Sequence, residues 1–502
     1  MKNWIHSSVI YQVNLRSLAA REPRNAIEAA KEKPLDESPL AYLARHLGAV
    51  KKLGANVVYL MPPYPVGLEE RKGIGSPYAI RDFKAVDPEF GTIEELADLV
   101  RRAHRAGLKV ILDLTPNHTS RDHVWIGAHP EYYVHDDQGR IFHDCDWSDT
   151  AKLDYRCPDL RREMTGVYDF WLGLLGPDAN GQPDGVDGFR LDMAHFINDL
   201  TFWNEALPQL KSRHAARQIL FLAECYGTRN NLDLFARGIN AAYDDDFYKV
   251  CVFLYGVGPD GRSIIALSPD AEGNADFRDK LAAFRSDGIA GAMEKALANY
   301  ESVLLPGEES PRLARYVDNH DEGRGVYRYG EGAARAVMQL AFLSGHCLPF
   351  LLTGQEFGAL NRPPIHDRIG LCDKSRRIVR ADRTDWRAGV EFEGNLFARG
   401  AADRAAWYGF YRTLIRLRRA TRELQLGDFE LLDAGEVAER PQRTVIAFDR
   451  RLRGLTVRCA VNLGPEDRRL RRADLFAGHA LYGALADGML PAFSATAVRV
   501  AG

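Results

Sequence analysis

Gly188-Phe189-Arg190-Leu191-Asp192 decides the fold of this chain. It is an apolar run that ends in a carboxylate, the form a buried parallel strand takes when it delivers a functional group at its C-terminal end. Side chains alternate along a strand, so Arg190 and Asp192 share a face. A cation beside a carboxylate favours the ionised form, and an ionised carboxylate is a nucleophile. Three more segments close in the same way: Val110-Ile111-Leu112-Asp113, followed by Asn117-His118; Ile219 to Glu224; and Ala314 to Asp321, which ends in Asn319-His320-Asp321. Several apolar strands that each present acids or histidines at one end predict the C-terminal face of a (β/α)₈ barrel.

The elements between them support this. Strand-like runs at Ile10–Val13, Asn56–Met61 and Lys109–Leu114 alternate with amphipathic stretches at Leu40–Leu53 and Ile93–Ala106. Glu94, Glu95 and Asp98 crowd the start of the second stretch, as a helix N-terminus favours, and Gly107 follows its end. Such alternation is the pattern of a parallel α/β sheet. Residues 120–157 break the rhythm with His, Asp, Trp and Tyr in no clear period. Leu160–Leu175 returns to a helix, and Leu348–Leu352 reads as the eighth strand. Two further irregular stretches, 244–288 and 361–400, carry no assignable pattern. Beyond the helix at Ala405–Thr421, short alternating runs at Phe429–Leu432, Val445–Phe448, Thr456–Val461 and Ala495–Val500 predict a small antiparallel β domain. The expected division is a barrel from 1–118 and 158–424, an insertion at 119–157 and a β domain at 425–502.

Bulk properties narrow the function. The 502 residues are 46% hydrophobic, enough for a large core, and a net charge of −3 gives no reason to expect a polyanion. Basic runs such as Lys374–Arg377 and Arg468–Arg472 read as solvated faces, so no nucleic-acid partner is expected. The opening residues, Met1 to Ser8, lack the apolar stretch of about 7–15 residues of a secretion signal. No run approaches the ~18 uninterrupted apolar residues of a membrane span. Seven cysteines, an odd count without a Cys-x-x-Cys pair, suit reduced thiols. The expected location is the cytoplasm, with no membrane partner; oligomeric state is not legible.

In this order and spacing, the four segments resemble the α-amylase family, glycoside hydrolase family 13. The resemblance extends from Val9–Val13, like the family's first strand, to the β-rich tail. It implies a retaining hydrolase of α-glucosidic bonds, most simply α-1,4, in maltooligosaccharides or α-glucans. The alternative is a transglycosylase or isomerase with the same covalent intermediate. Retention requires two carboxyl groups about 5–5.5 Å apart. The resemblance assigns Asp192 as nucleophile, Glu224 as general acid/base and Asp321 as the third acid, which stabilises the transition state. Glu224 must keep a proton at neutral pH, which a second carboxylate close by favours. Tyr78, His118, Arg190 and His320 match substrate-contacting residues, and Asp113 is expected beneath the site. Trp125, Tyr132, Tyr133 and Trp147 are equally open to sugar stacking and to packing.

Two departures from the family stand out. Where many relatives carry Lys-His on the leaving-group side, this chain has His195-Phe196. Where calcium-dependent relatives place an aspartate ligand, it has Lys152. Calcium takes oxygen ligands, and an ammonium cannot serve as one. The expectation is therefore no metal and no cofactor, with Lys152 paired to Asn117 and nearby oxygens.

Overall fold

The computed structural model describes residues 3–19, 37–255, 275–359, 365, 401–438 and 442–500. Eight parallel strands close on themselves. They are β1 (Ile10–Val13), β2 (Val57–Leu60), β3 (Lys109–Leu114), β4 (Gly188–Leu191), β5 (Leu220–Ala223), β6 (Ala241–Tyr243), β7 (Arg312–Arg315) and β8 (Cys347–Leu352). Each pairs with its neighbours in chain order. Ile10 opposite both Val57 and Phe350 completes the ring. The (β/α)₈ expectation is thus met.

Local chemistry sets the helix ends. Ser38 caps α1 (Pro39–Leu53) by accepting from the Ala41 N–H, and Gly54 ends it at φ 107°. That is a left-handed conformation that glycine adopts without steric cost. Thr92 and Glu95 form a reciprocal capping box at the start of α2 (Ile93–Arg105). α3 (Pro158–Leu172) follows β3 and its insertion, and α4 (Thr201–Arg213) follows β4. The helices pack their buried faces on the outside of the barrel. Ile10, Tyr59, Ile111, Leu222, Tyr243 and Phe350 belong to a separate cluster formed by the opposite faces of the strands.

The first residue of the deciding segment has a structural reason to be glycine. A Cβ on Gly188 would lie 2.1 Å from the Leu220 carbonyl oxygen of β5. Just before it, buried Asp187 accepts from His104 Nε2 at 2.8 Å, Lys109 Nζ at 2.8 Å and the Val110 N–H at 2.9 Å. This ties the entry of β4 to α2 and β3.

The stretch after β3 is more ordered at its base than its composition suggests. His118–Ser120 pairs antiparallel with Thr150–Lys152, which sets His118 opposite Lys152. Trp125, Tyr132 and Tyr133 are buried in packing, so they provide no exposed stacking face. At the C-terminus a five-stranded antiparallel sheet runs in the order β9 (Asp428–Leu432), β10 (Val445–Leu452), β11 (Leu455–Asn462), β13 (Ala495–Val500), β12 (His479–Tyr482). The expected β domain is present, with β12 added to the strands read from the sequence. Of the irregular stretches, 256–274, 361–364 and 366–400 lie outside the described residues, as does the basic run at 374–377. Within the rest, Asp245–Tyr255 is helical, and so is Ala275–Glu301 on either side of a kink at Gly288. No described helix is long and apolar enough to cross a membrane.

Candidate active site

The ends of β3, β4 and β5 bring three carboxylates onto one guanidinium. Arg190 is fully buried. Its Nη1 donates to Asp113 Oδ1 at 2.8 Å and to Asp192 Oδ1 at 2.7 Å. Its Nη2 lies 2.8 Å from Glu224 Oε2, an ion-pair contact. Asp192 and Glu224 therefore grip different nitrogens of the same rigid fork, which fixes them relative to each other. Arg190 Cζ also sits 5.4 Å from the centre of the Tyr78 ring and 5.6 Å from that of Tyr243.

The electrostatics differ from a simple Asp–Arg pair. Burial raises Asp192 well above the usual carboxylate range; Arg190 opposes this, while the charges of Glu224 and Asp113 reinforce it. Burial raises Asp113 as well, against the pull of Arg190. One cation cannot neutralise three buried carboxylates, so the cluster favours retaining a proton. Asp113 lies beneath the site, as expected, and accepts from the Tyr59 hydroxyl at 2.5 Å and the Tyr78 hydroxyl at 3.0 Å.

Asp321, after β7, is different. Its side chain is 41% exposed, and it lies 3.0 Å from His320 Nε2. A partly open carboxylate of this kind can accept from sugar hydroxyls. His320 Nδ1 pairs with Gln12 Nε2 at 2.7 Å, which makes Nδ1 the acceptor. His320 Nε2 also meets the Tyr78 hydroxyl, and the two rings stack with centres 5.6 Å apart. The structure thus brings Tyr78, Arg190, Asp192, Glu224, His320 and Asp321 into one connected network.

His118 joins through Lys152. The Lys152 ammonium donates to Asn117 Oδ1 at 2.6 Å, Asp144 Oδ2 at 2.6 Å and the Phe196 carbonyl at 2.7 Å. Asn117 Nδ2 in turn lies 3.1 Å from His118 Nδ1. Burial, with the Lys152 charge adding to it, pushes His118 down to about 3, so the ring is neutral. With Nδ1 accepting, Nε2 carries the proton, and that nitrogen has no hydrogen-bond partner in the fold. It is a buried donor that the fold leaves unpaired. The Lys152 ammonium thus occupies oxygens of three segments that meet beside His118.

Several contributors were not legible in the sequence. Met193, the residue after Asp192, has φ 46° and donates its N–H to Glu224 Oε2 at 3.1 Å. No composition signal marks a left-handed methionine. Tyr226 donates to Glu224 Oε1 at 2.7 Å. Its i, i+2 spacing from Glu224 is a signal that could have found it. Trp147 stands 5.5 Å from His118 and 6.3 Å from Phe196, ring centre to ring centre. Cys225 is buried, and burial raises its thiol to about 12, which makes it inert.

The chain is similar to known proteins. Residues 39–140, which contain Tyr78, Asp113 and His118, match the model of the α-amylase catalytic domain. The chain is 22% identical over 483 residues to "Alpha-amylase 3" of Dictyoglomus thermophilum, covering 89% of this chain and 82% of that protein. It is 30% identical over 240 residues to "Trehalose synthase/amylase TreS" of Mycobacterium tuberculosis, covering 41% of this chain and 36% of that one. Among solved structures, an alpha-amylase from Lactobacillus plantarum shares the fold with a TM-score of 0.67 at 23% identity, over 99% of this chain and 100% of that one.

Proposed function

We propose that the chain is a member of the α-amylase family and a retaining hydrolase of α-glucosidic bonds, principally α-1,4, in maltooligosaccharides or α-glucans. The observation that carries this reading is the shared guanidinium of Arg190 between Asp192 and Glu224. It holds a nucleophile and an acid in fixed relation. In the first half-reaction an Asp192 carboxylate oxygen bonds to the anomeric carbon. The bond to the leaving oxygen breaks, and Glu224 gives that oxygen its proton. In the second, water attacks the same carbon, Glu224 takes the water's proton, and the bond to Asp192 breaks to restore the carboxylate. Asp321, with Tyr78, His118 and His320, is read as the set that orients the sugar. Arg190 keeps the acids in register.

A second reading, transfer to a sugar or isomerisation in place of hydrolysis, is supported by the higher identity to the trehalose synthase/amylase segment. Both share the covalent intermediate and differ in what resolves it. The seat of Lys152 supports a reaction that needs no calcium. Six unpaired cysteines among the described residues support a reducing, cytoplasmic setting.

The test is a time-resolved chromatogram of maltoheptaose with the wild type and with Glu224→Gln. Shorter sugars from the wild type alone are the expected result, and products longer than the substrate would identify transfer. An equally active Glu224→Gln enzyme would refute the assignment.

A further inference from the structure

The two oxygens of Glu224 sit in different settings. Oε2 faces the Met193 N–H at 3.1 Å and Arg190 Nη2 at 2.8 Å. Neither group accepts a proton, since a backbone N–H only donates and a guanidinium is always charged. Oε1 is therefore the oxygen that exchanges a proton with substrate. Its partner within the fold is the Tyr226 hydroxyl, 2.7 Å away. A carboxyl oxygen has two lone-pair sites, so Oε1 can accept from the phenol on one and hold or take a proton on the other.

The Tyr226 ring is held in place. His195 packs edge-on against it at 5.7 Å, and the Lys249 ammonium stands 5.8 Å from its centre. The side chain is nevertheless 38% exposed, open to an arriving sugar. Burial, followed by the Glu224 charge, raises the phenol far above its ordinary range, so it keeps its proton through a catalytic cycle.

Building on the hydrolase reading above, we propose that Tyr226 is a positioning residue that holds Glu224 Oε1 through both halves of the double displacement. Before cleavage the Tyr226 O–H donates to Oε1, as it does in the structure, which fixes the carboxyl plane and leaves the acid's proton on the other side of Oε1 facing the leaving oxygen. Once that proton has passed to the leaving oxygen, the same O–H goes on donating to the carboxylate. It keeps that carboxylate aimed at the water, whose proton then returns to Oε1 as the bond from Asp192 to the anomeric carbon breaks.

The test compares wild type and Tyr226→Phe on maltoheptaose and on α-maltosyl fluoride, scored as kcat/KM, which reports the steps through the first bond cleavage. Fluoride departs without a proton, so that substrate bypasses the acid. The expected result is a loss of about tenfold on maltoheptaose, with the fluoride substrate within about twofold of wild type. Turnover of the fluoride also shows that the variant is folded. An equal loss on both substrates would assign Tyr226 a purely structural role and overturn the proposal, as would no loss on maltoheptaose. A wild type inert toward both substrates would remove the hydrolase reading itself, and this inference with it.

Discussion

Lys152 stands opposite His118 in the antiparallel pair at the base of the insertion, and its ammonium occupies a cradle of oxygens from three separate segments. A side chain of the insertion thus fixes Asn117, which orients His118, and also the backbone at Phe196, four residues beyond Asp192. Burial lowers the Lys152 ammonium, partly offset by Asp144. The charge is retained because carboxylate and carbonyl oxygens replace its water.

Lys152→Met should therefore leave Asp144 without its buried partner and cost about 3 kcal/mol, measured by urea unfolding. Chelator should not alter the wild-type Tm. In Lys152→Asp the same position would offer oxygens, so millimolar calcium should raise that variant's lowered Tm. A wild type that melts earlier in chelator would contradict this account.

Asp192→Asn should cut turnover by orders of magnitude while leaving the fold intact. Because it removes a charge from a cluster with too few cations, its Tm should equal or exceed that of the wild type. A variant with near-native kcat would rule out Asp192 as the nucleophile.

His104 predicts a pH dependence of stability. Burial lowers it, but hydrogen bonds to Asp184 and Asp187 prevail and raise it from 6.5 to about 9. A base held above its unfolded value stabilises the fold fully below pH 6.5, and that contribution disappears as pH rises through about 9. With allowance for partial exposure, it is on the order of 2 kcal/mol. Chemical denaturation of wild type and His104→Gln between pH 6 and pH 9.5 should converge at the alkaline end. A gap that stays constant across the range would mean that His104 does not titrate in this way.

Gly188→Ala should be among the most damaging single-methyl additions in the barrel. The new carbon meets the backbone of β5, which cannot turn aside as a side chain can. A loss of about 3 kcal/mol or more is expected from equilibrium unfolding. If the variant were as stable as wild type, the close approach of β4 and β5 would be wrong.

The barrel was legible because its strands are short apolar runs, and Asp113, Asp192 and Glu224 stand at or just past the ends of three of them. Strand ends in the sequence and in the structure differ by a residue or two, as at Asn56–Met61 against Val57–Leu60. The base of the insertion was not legible. Its pairing segments, His118–Ser120 and Thr150–Lys152, are only three residues each and contain too few positions to show a period. The packing of Trp125, Tyr132 and Tyr133 was undecidable for a related reason: an aromatic ring suits a core and a sugar equally well.

What the sequence determined by itself is the set of chemical groups and their order: Asp192, Glu224 and Asp321 at strand ends, with Arg190 on the face of Asp192. Alternation along a strand is a local property and survives without coordinates. Tertiary structure decided how those groups share charge. One guanidinium serves three acids, Met193 turns left-handed to reach Glu224, and Tyr226 takes the other oxygen. Lys152 reaches across 44 residues of chain to the Phe196 carbonyl. Charge sharing of this kind depends on ångström-scale distances between segments remote in sequence, and only the closed barrel brings those segments together.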